Sequence, residues 1–188
     1  MTLVSDKNIL ELFYRDRRGG IRALFDRYYR PMVLFAGTLI RDDIMAEDVV
    51  QEIFVRLWKE DYLTKIGEKA LSSYLFSAVR NSCYTHANKR DILKSAADYS
   101  EISIASELIP SVNQQIVDRV MVVINQLPEQ TRNVVERVLM RDMEYRHVAE
   151  DLGISVNTVK TLLRNGMRVL RENFRENDLL LFFMMVYK

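Results

Sequence analysis

The stretch 147–163, HVAEDLGISVNTVKTLL, admits few folds. Val148, Ala149 and Leu152 are apolar at i, i+1 and i+4, the spacing of one helical face. Gly153 can take the left-handed conformation that a tight turn requires, and Ser155 is placed to cap a second helix. Beyond that cap, Val159, Leu163, Met167, Leu170 and Phe174 recur every three or four residues and predict a buried stripe. Ala149 is small, as needed where two helix axes cross closely. Together these make a helix-turn-helix, whose second helix can enter a DNA major groove.

A row of positive charge rides on that second helix, at Lys160, Arg164, Arg168, Arg171 and Arg175. Each member follows a residue of the apolar stripe, which places the row about 100° around the helix, beside the core and facing outward. A recognition helix reads DNA through its N-terminal part. Asn157, Thr158, Lys160, Thr161, Arg164 and Asn165 are therefore the candidates to reach DNA. Lys160 and Arg164 suit guanine or phosphate, and Asn157 or Asn165 suits adenine or phosphate. Arg171 and Arg175 lie too far along to read bases. The plainer reading of the later charges is a solvated face with helical pairs such as Arg168–Glu172.

The remainder of the 188 residues predicts an all-α chain. Glycine (6) and proline (3) are scarce, and no stretch alternates apolar and polar residues long enough for a sheet. Ser5 predicts the cap of a helix running to about Arg18, with Ile9, Leu12 and Phe13 inward and Gly19-Gly20 as its stop. A second helix carries Leu24, Phe25, Tyr28, Met32, Phe35 and Leu39 on one face, and Pro31 should kink or split it. A third starts at Asp42 or Asp43 and runs to about Glu60, with Ala46, Val50, Ile53, Leu57 and Trp58 inward. A fourth spans Ser72 to about Arg90. Farther on, Ile116, Val120, Val123, Ile124 and Leu127 share a helical spacing. Pro128 then opens another helix, with Val134, Val135, Val138 and Leu139 as its apolar face.

The stretch between the halves, AADYSEISIASELIPSVNQQ, is acidic, rich in Ser and Ala, and broken by Pro110. It reads as a flexible linker. The expected organisation is thus two small helical domains, 1–95 and 112–177, joined by a linker over 96–111 and followed by an apolar C-terminal tail over 178–188. That tail, DLLLFFMMVYK, is too short to span a membrane, for which about twenty residues are needed. It must be covered by the chain's own domains or by a partner.

Catalytic chemistry is not in view. His86 and His147 lack metal-ligand companions, Cys83 has no second cysteine to pair with, and no glycine-rich phosphate loop or nucleophile motif occurs. No cofactor, metal or small-molecule substrate is expected. The single cysteine and the lack of a signal peptide fit a cytoplasmic protein. The net charge is only +1, so composition by itself does not mark a nucleic-acid binder.

Two longer segments carry a family resemblance. AEDVVQEIFVRLWKE at 46–60, followed by SSYLFSAVRNSCYTHANKR at 72–90, resembles the polymerase-binding domain of sigma factors of the extracytoplasmic-function class. LPEQTRNVVERVLMRDMEYRHVAEDLGISVNTVKTLLRNGMRVLRE at 127–172 resembles the domain of the same factors that reads the minus-thirty-five element. The order and separation of the two segments also match. The resemblance implies a transcription initiation factor that binds core RNA polymerase, directs it to promoter DNA and assists melting. It implies that Asp48, Gln51, Glu52 and Phe54, taken as outward, dock on the polymerase clamp helices. It further implies that the fourth helix and the loop before it bind the minus-ten element, through Leu63, Lys65, Tyr74, Phe76, Arg80, Asn81, Tyr84, Lys89 and Arg90. Aromatic faces there would receive unstacked bases while basic groups hold the backbone. The three aromatics at 74, 76 and 84 cannot all share one face, so at least one is expected to be packed inside. Two departures stand out: Tyr74 occupies a position where the family often has Trp, and the arginine run after the fourth helix is short. An anti-sigma factor, soluble or membrane-bound, is the further partner that the resemblance implies. The rival reading is a helix-turn-helix regulator whose N-terminal half senses a ligand or dimerises.

Overall fold

The computed structural model describes residues 5–40, 42–60, 63, 66–91 and 114–187, with 87–91 as backbone only. Helices and short turns make up these residues, and no strand occurs among them. They divide into two compact units, Met1–Ser111 with Tyr187–Lys188, and Val112–Val186. The stretch expected to be a linker, 96–111, lies outside the described residues.

In the first unit, α1 (Asp6–Arg15), α2 (Arg17–Leu39), α3 (Asp43–Lys59) and α4 (Leu71–Asp91) pack together, with α2 touching the other three. Ser5 caps α1 by accepting the Asn8 N–H at 3.2 Å. The helix ends at Arg15, three residues short of the expected stop, and the glycine pair lies inside α2. Asp16 is the cause. Its backbone is extended (φ −142°, ψ 97°), and its carboxylate accepts the Arg18 N–H, so one residue closes α1 and opens α2. Gly20 serves the crossing instead: a Cβ there would stand 2.3 Å from Phe13 Cα. Pro31 does not split α2, which runs on to Leu39 and buries residues on both sides of it. That burial offsets the one ladder hydrogen bond a proline removes.

The first core gathers Leu24, Tyr28, Met32 and Phe35 of α2, Ala46, Val49, Val50, Ile53 and Leu57 of α3, and Leu71, Leu75, Phe76 and Val79 of α4. Leu12, Phe25 and Trp58 were expected inside and are exposed. Trp58 lies outward beneath the Arg17 guanidinium, 6.0 Å from its ring. Arg17 also donates to the carbonyls of Trp58 and Glu60, satisfying two acceptors at the end of α3. Phe25 stacks on Tyr29 at 4.4 Å. At the edge of this core the Tyr28 hydroxyl donates to Asp6 Oδ1 at 2.8 Å, and Arg27 Nε stands 3.2 Å from the same oxygen. Burial pushes the Asp6 carboxyl above its ordinary value, outweighing the Tyr28 hydrogen bond and the Arg27 charge.

The second unit holds α5 (Gln114–Asn125), α6 (Glu129–Val135), α7 (Tyr145–Leu152), α8 (Val156–Asn173) and α9 (Glu176–Val186). A π-helical turn, Glu136–Met140, extends α6. Helix α8 is the hub, packed on α5, α6, α7 and α9. Its five predicted stripe residues are all buried, as are Val134, Val135, Val138 and Leu139. The apolar tail is α9, which packs on α5 and α8 and buries Leu179, Leu180, Phe182 and Phe183.

Candidate nucleic-acid and polymerase surfaces

The turn between α7 and α8 is built from local chemistry. Gly153 adopts φ 63° and ψ 34°, the left-handed conformation. Its N–H donates to Glu150 C=O at 3.3 Å, and the Ile154 N–H donates to Ala149 C=O at 3.0 Å. That pair of bonds is a Schellman closure, which satisfies carbonyls the helix would otherwise orphan. Two residues on, Ser155 Oγ accepts the Thr158 N–H at 3.0 Å and starts α8. The angle between the two helices is thereby fixed by a short local segment.

A close approach of α6 and α8 involves a residue that sequence reasoning passed over. A Cβ at Gly166 would lie 2.3 Å from Val135 Cγ2. The missing side chain lets α6 and α8 touch, which sets how far α8 stands out from the unit. The only sequence signal was a glycine inside an otherwise periodic helix.

On the outer side of α8, Asn157, Lys160, Thr161, Arg164 and Asn165 are exposed and lie within its first ten residues. Thr158 is half-buried, and its hydroxyl lies 2.8 Å from Ser155 Oγ, within the cap. Thr161 donates to Asn157 C=O at 3.0 Å. The structure therefore brings five of the six candidates onto one accessible arc and ties the sixth into the helix start. Arg168 and Arg175 are exposed and Arg171 is half-buried.

Helix α4 sorts its candidates less evenly. Tyr84 is 52% exposed, Asn81 is exposed, and Tyr74 and Arg80 are half-buried. Phe76 is fully buried, edge-on to Phe35 at 5.7 Å and to Tyr28 at 6.5 Å, so it is core and cannot receive a base. Leu63 is also fully buried, and the same correction applies to it. Lys65 falls outside the described residues, and so do the side chains of Lys89 and Arg90.

On α3, Asp48, Gln51 and Glu52 face solvent. Phe54 does not: it is buried against Phe25, 5.1 Å between ring centroids, with Tyr29 at 6.1 Å. It lies two residues beyond Glu52, about 200° around the helix, which turns it toward α2. The exposed apolar groups beside the acids are Ile44, Val55 and Trp58, at 75%, 50% and 44%. A groove of about 750 Å³ runs between α3 and α4, lined by residues that include Asp48, Glu52, Val55, Tyr74 and His86. Glu52 Oε2 and His86 Nε2 meet across it at 3.0 Å, and Arg56 donates to Ser82 Oγ at 2.8 Å. Cys83 is buried, and no group of three or more His, Cys, Asp or Glu among the described residues could hold a metal ion. No helix among the described residues is long and apolar enough to cross a membrane.

Residues 24–92 match the family model of sigma-70 region 2, and residues 118–170 match that of sigma-70 region 4. The chain is 27% identical over 158 residues to the ECF RNA polymerase sigma factor SigL of Mycobacterium tuberculosis, covering 83% of this chain and 89% of that one. The chain belongs to the ECF class of the sigma-70 family. It is 22% identical to SigX of Bacillus subtilis, over 80% of this chain and 81% of the relative. RpoE of Cereibacter sphaeroides is 22% identical, over 68% of this chain and 71% of the relative. This sigma factor is a transcription initiation factor that directs RNA polymerase to promoters, and it binds the core enzyme and promoter DNA. Its region 2 match begins in α2 and includes α3 and α4, whereas its region 4 match runs from α5 into α8. Helices α1 and α9 lie outside both matches.

Proposed function

We propose that the two units of this sigma factor divide the work of initiation. The first grips the polymerase through α3 and meets the minus-ten element through α4. The second reads the minus-thirty-five element through the leading half of α8. Supporting this is one observation above all: Asn157, Lys160, Thr161, Arg164 and Asn165 stand exposed together on the helix that a glycine turn and a serine cap hold in place. A helix presented so, with two cations and two amides at its leading end, suits guanine, adenine and phosphate.

For the polymerase, Asp48, Gln51 and Glu52 with Ile44, Val55 and Trp58 form an acidic and apolar ridge that suits a basic coiled-coil partner. Val55 and Trp58 take the part first given to Phe54. On α4, Tyr84 is the exposed aromatic that an unstacked base would meet, with Arg80 and Asn81 beside it on the backbone. The polymerase supplies the bond-making chemistry, in the cytoplasm, and an anti-sigma factor restrains the free protein.

The test is run-off transcription with purified core enzyme on a library of genomic fragments. New start sites that depend on this chain are expected, whereas a regulator of the ordinary helix-turn-helix kind would give none. Lys160→Ala and Arg164→Ala should lower promoter-specific transcription and leave polymerase binding intact. Their promoter affinity should also depend less steeply on salt, by about one unit of log–log slope for each phosphate no longer neutralised. Asp48→Arg should weaken polymerase binding; unaltered affinity in that variant would remove α3 from the docking surface.

A further inference from the structure

The leading arc of α8 has a member that the polar candidates leave out. Val156 is the first residue of the helix and is 39% exposed. It stands one turn ahead of Lys160 and two ahead of Arg164, at the head of the same row. The residue before it, Ser155, is engaged in the cap. The α8 residues buried in the core of the second unit are Val159, Leu163, Gly166, Met167 and Leu170; Val156 is not among them, and part of its apolar surface faces outward.

The site becomes intelligible in a major groove. The first residues of a recognition helix meet base edges, and among the groups bases display there the C5-methyl of thymine is the apolar one. We propose that Val156 is a specificity-determining residue that packs on the thymine methyl of one base pair in the upstream promoter element, beside the base pairs reached by Asn157 and Lys160. This rests on the reading of α8 as the DNA-reading helix. Thr161 is the one rival on the arc with an outward methyl, because its hydroxyl is turned back to Asn157 C=O.

The experiment uses holoenzyme made from core polymerase and the full chain, bound to a promoter recovered by run-off transcription. Each thymine in the upstream protected segment is replaced in turn by deoxyuridine, which pairs identically but lacks the methyl. One position should bind wild-type holoenzyme roughly fourfold more weakly, the worth of a single buried methyl-sized group. Val156→Ala should bind the natural promoter more weakly by a similar factor and be indifferent to deoxyuridine at that position. Polymerase binding by the variant should be unchanged. The proposal is overturned if no deoxyuridine costs the wild type affinity, or if the cost persists in Val156→Ala. A cost that persists there and vanishes in Thr161→Ser assigns the methyl to Thr161 instead. A holoenzyme that protects no upstream segment at all would overturn the parent reading of α8, a different result from protection without methyl dependence.

Discussion

Gly166→Ala puts the geometry of the second unit to a quantitative test. Glycine to alanine inside a helix ordinarily stabilises by about 1 kcal/mol. At this position the added Cβ would lie 2.3 Å from Val135 Cγ2, with Thr131 Cγ2 at 3.4 Å and Leu127 Cδ1 at 3.6 Å behind it. Val135 is fully buried, and its branched side chain has little freedom at χ1. The helices must therefore part by more than a side-chain adjustment. Overpacking of this kind costs about 1–3 kcal/mol, and so close an approach points to the upper part of that range. Subtracting the propensity gain leaves a net loss of roughly 1–2 kcal/mol. If α8 carries the DNA-reading arc proposed above, its displacement from α6 should also lower promoter-specific transcription while polymerase binding persists. Urea unfolding followed by circular dichroism gives the stability, and amide exchange in α6 and α8 locates the weakened region. Val135→Ala in the same chain removes the colliding methyl, so the double variant should be destabilised by less than the two single variants combined. A Gly166→Ala protein as stable as wild type, or strictly additive behaviour with Val135→Ala, would refute the claim that a missing side chain sets the α6–α8 distance.

Two further perturbations have signs fixed by the structure. Gly37 lies in α2 with nothing within 4 Å of a Cβ, so Gly37→Ala should stabilise by up to about 1 kcal/mol, the opposite of Gly166; a fall in the thermal midpoint would contradict the open space. The Asp6 carboxyl is raised above 3.8 by burial, so the folded protein holds that proton more tightly than the unfolded chain. Its unfolding free energy should therefore fall as pH rises from about 3.8 through the raised value. Asp6→Asn should lack this component, and parallel pH dependence in the two proteins, measured by urea midpoints, would rule it out.

The misplacements of Phe54, Phe76 and Trp58 share one origin. Phe54 and Phe76 looked available because each sits near polar residues in a segment that resembles a binding surface. Phe54 is covered by Phe25 and Tyr29 of α2, and Phe76 by Tyr28 and Phe35 of the same helix. Trp58 erred the other way: its place beside Leu57 on the third helix suggested core, yet it lies outward under Arg17, which reaches it from the first residue of α2. In each case the deciding neighbour is more than twenty residues away, beyond the reach of any periodicity argument. The arc on α8 was legible because its outward side is bare and the stripe beneath it is regular.

What the sequence determined by itself is local. Ser5, Asp42 and Ser155 each accept a backbone N–H within three residues, and Gly153 takes a conformation costly to other residues. Helix starts and the recognition turn follow from such interactions, because all their partners lie within a few residues along the chain. Which arc of each amphipathic helix stays open to DNA or polymerase was decided only when the helices packed. An angle on a wheel says where a side chain points; what covers it depends on the helix on the other side. How near that helix comes is set by single residues such as Gly20 and Gly166, through van der Waals contact.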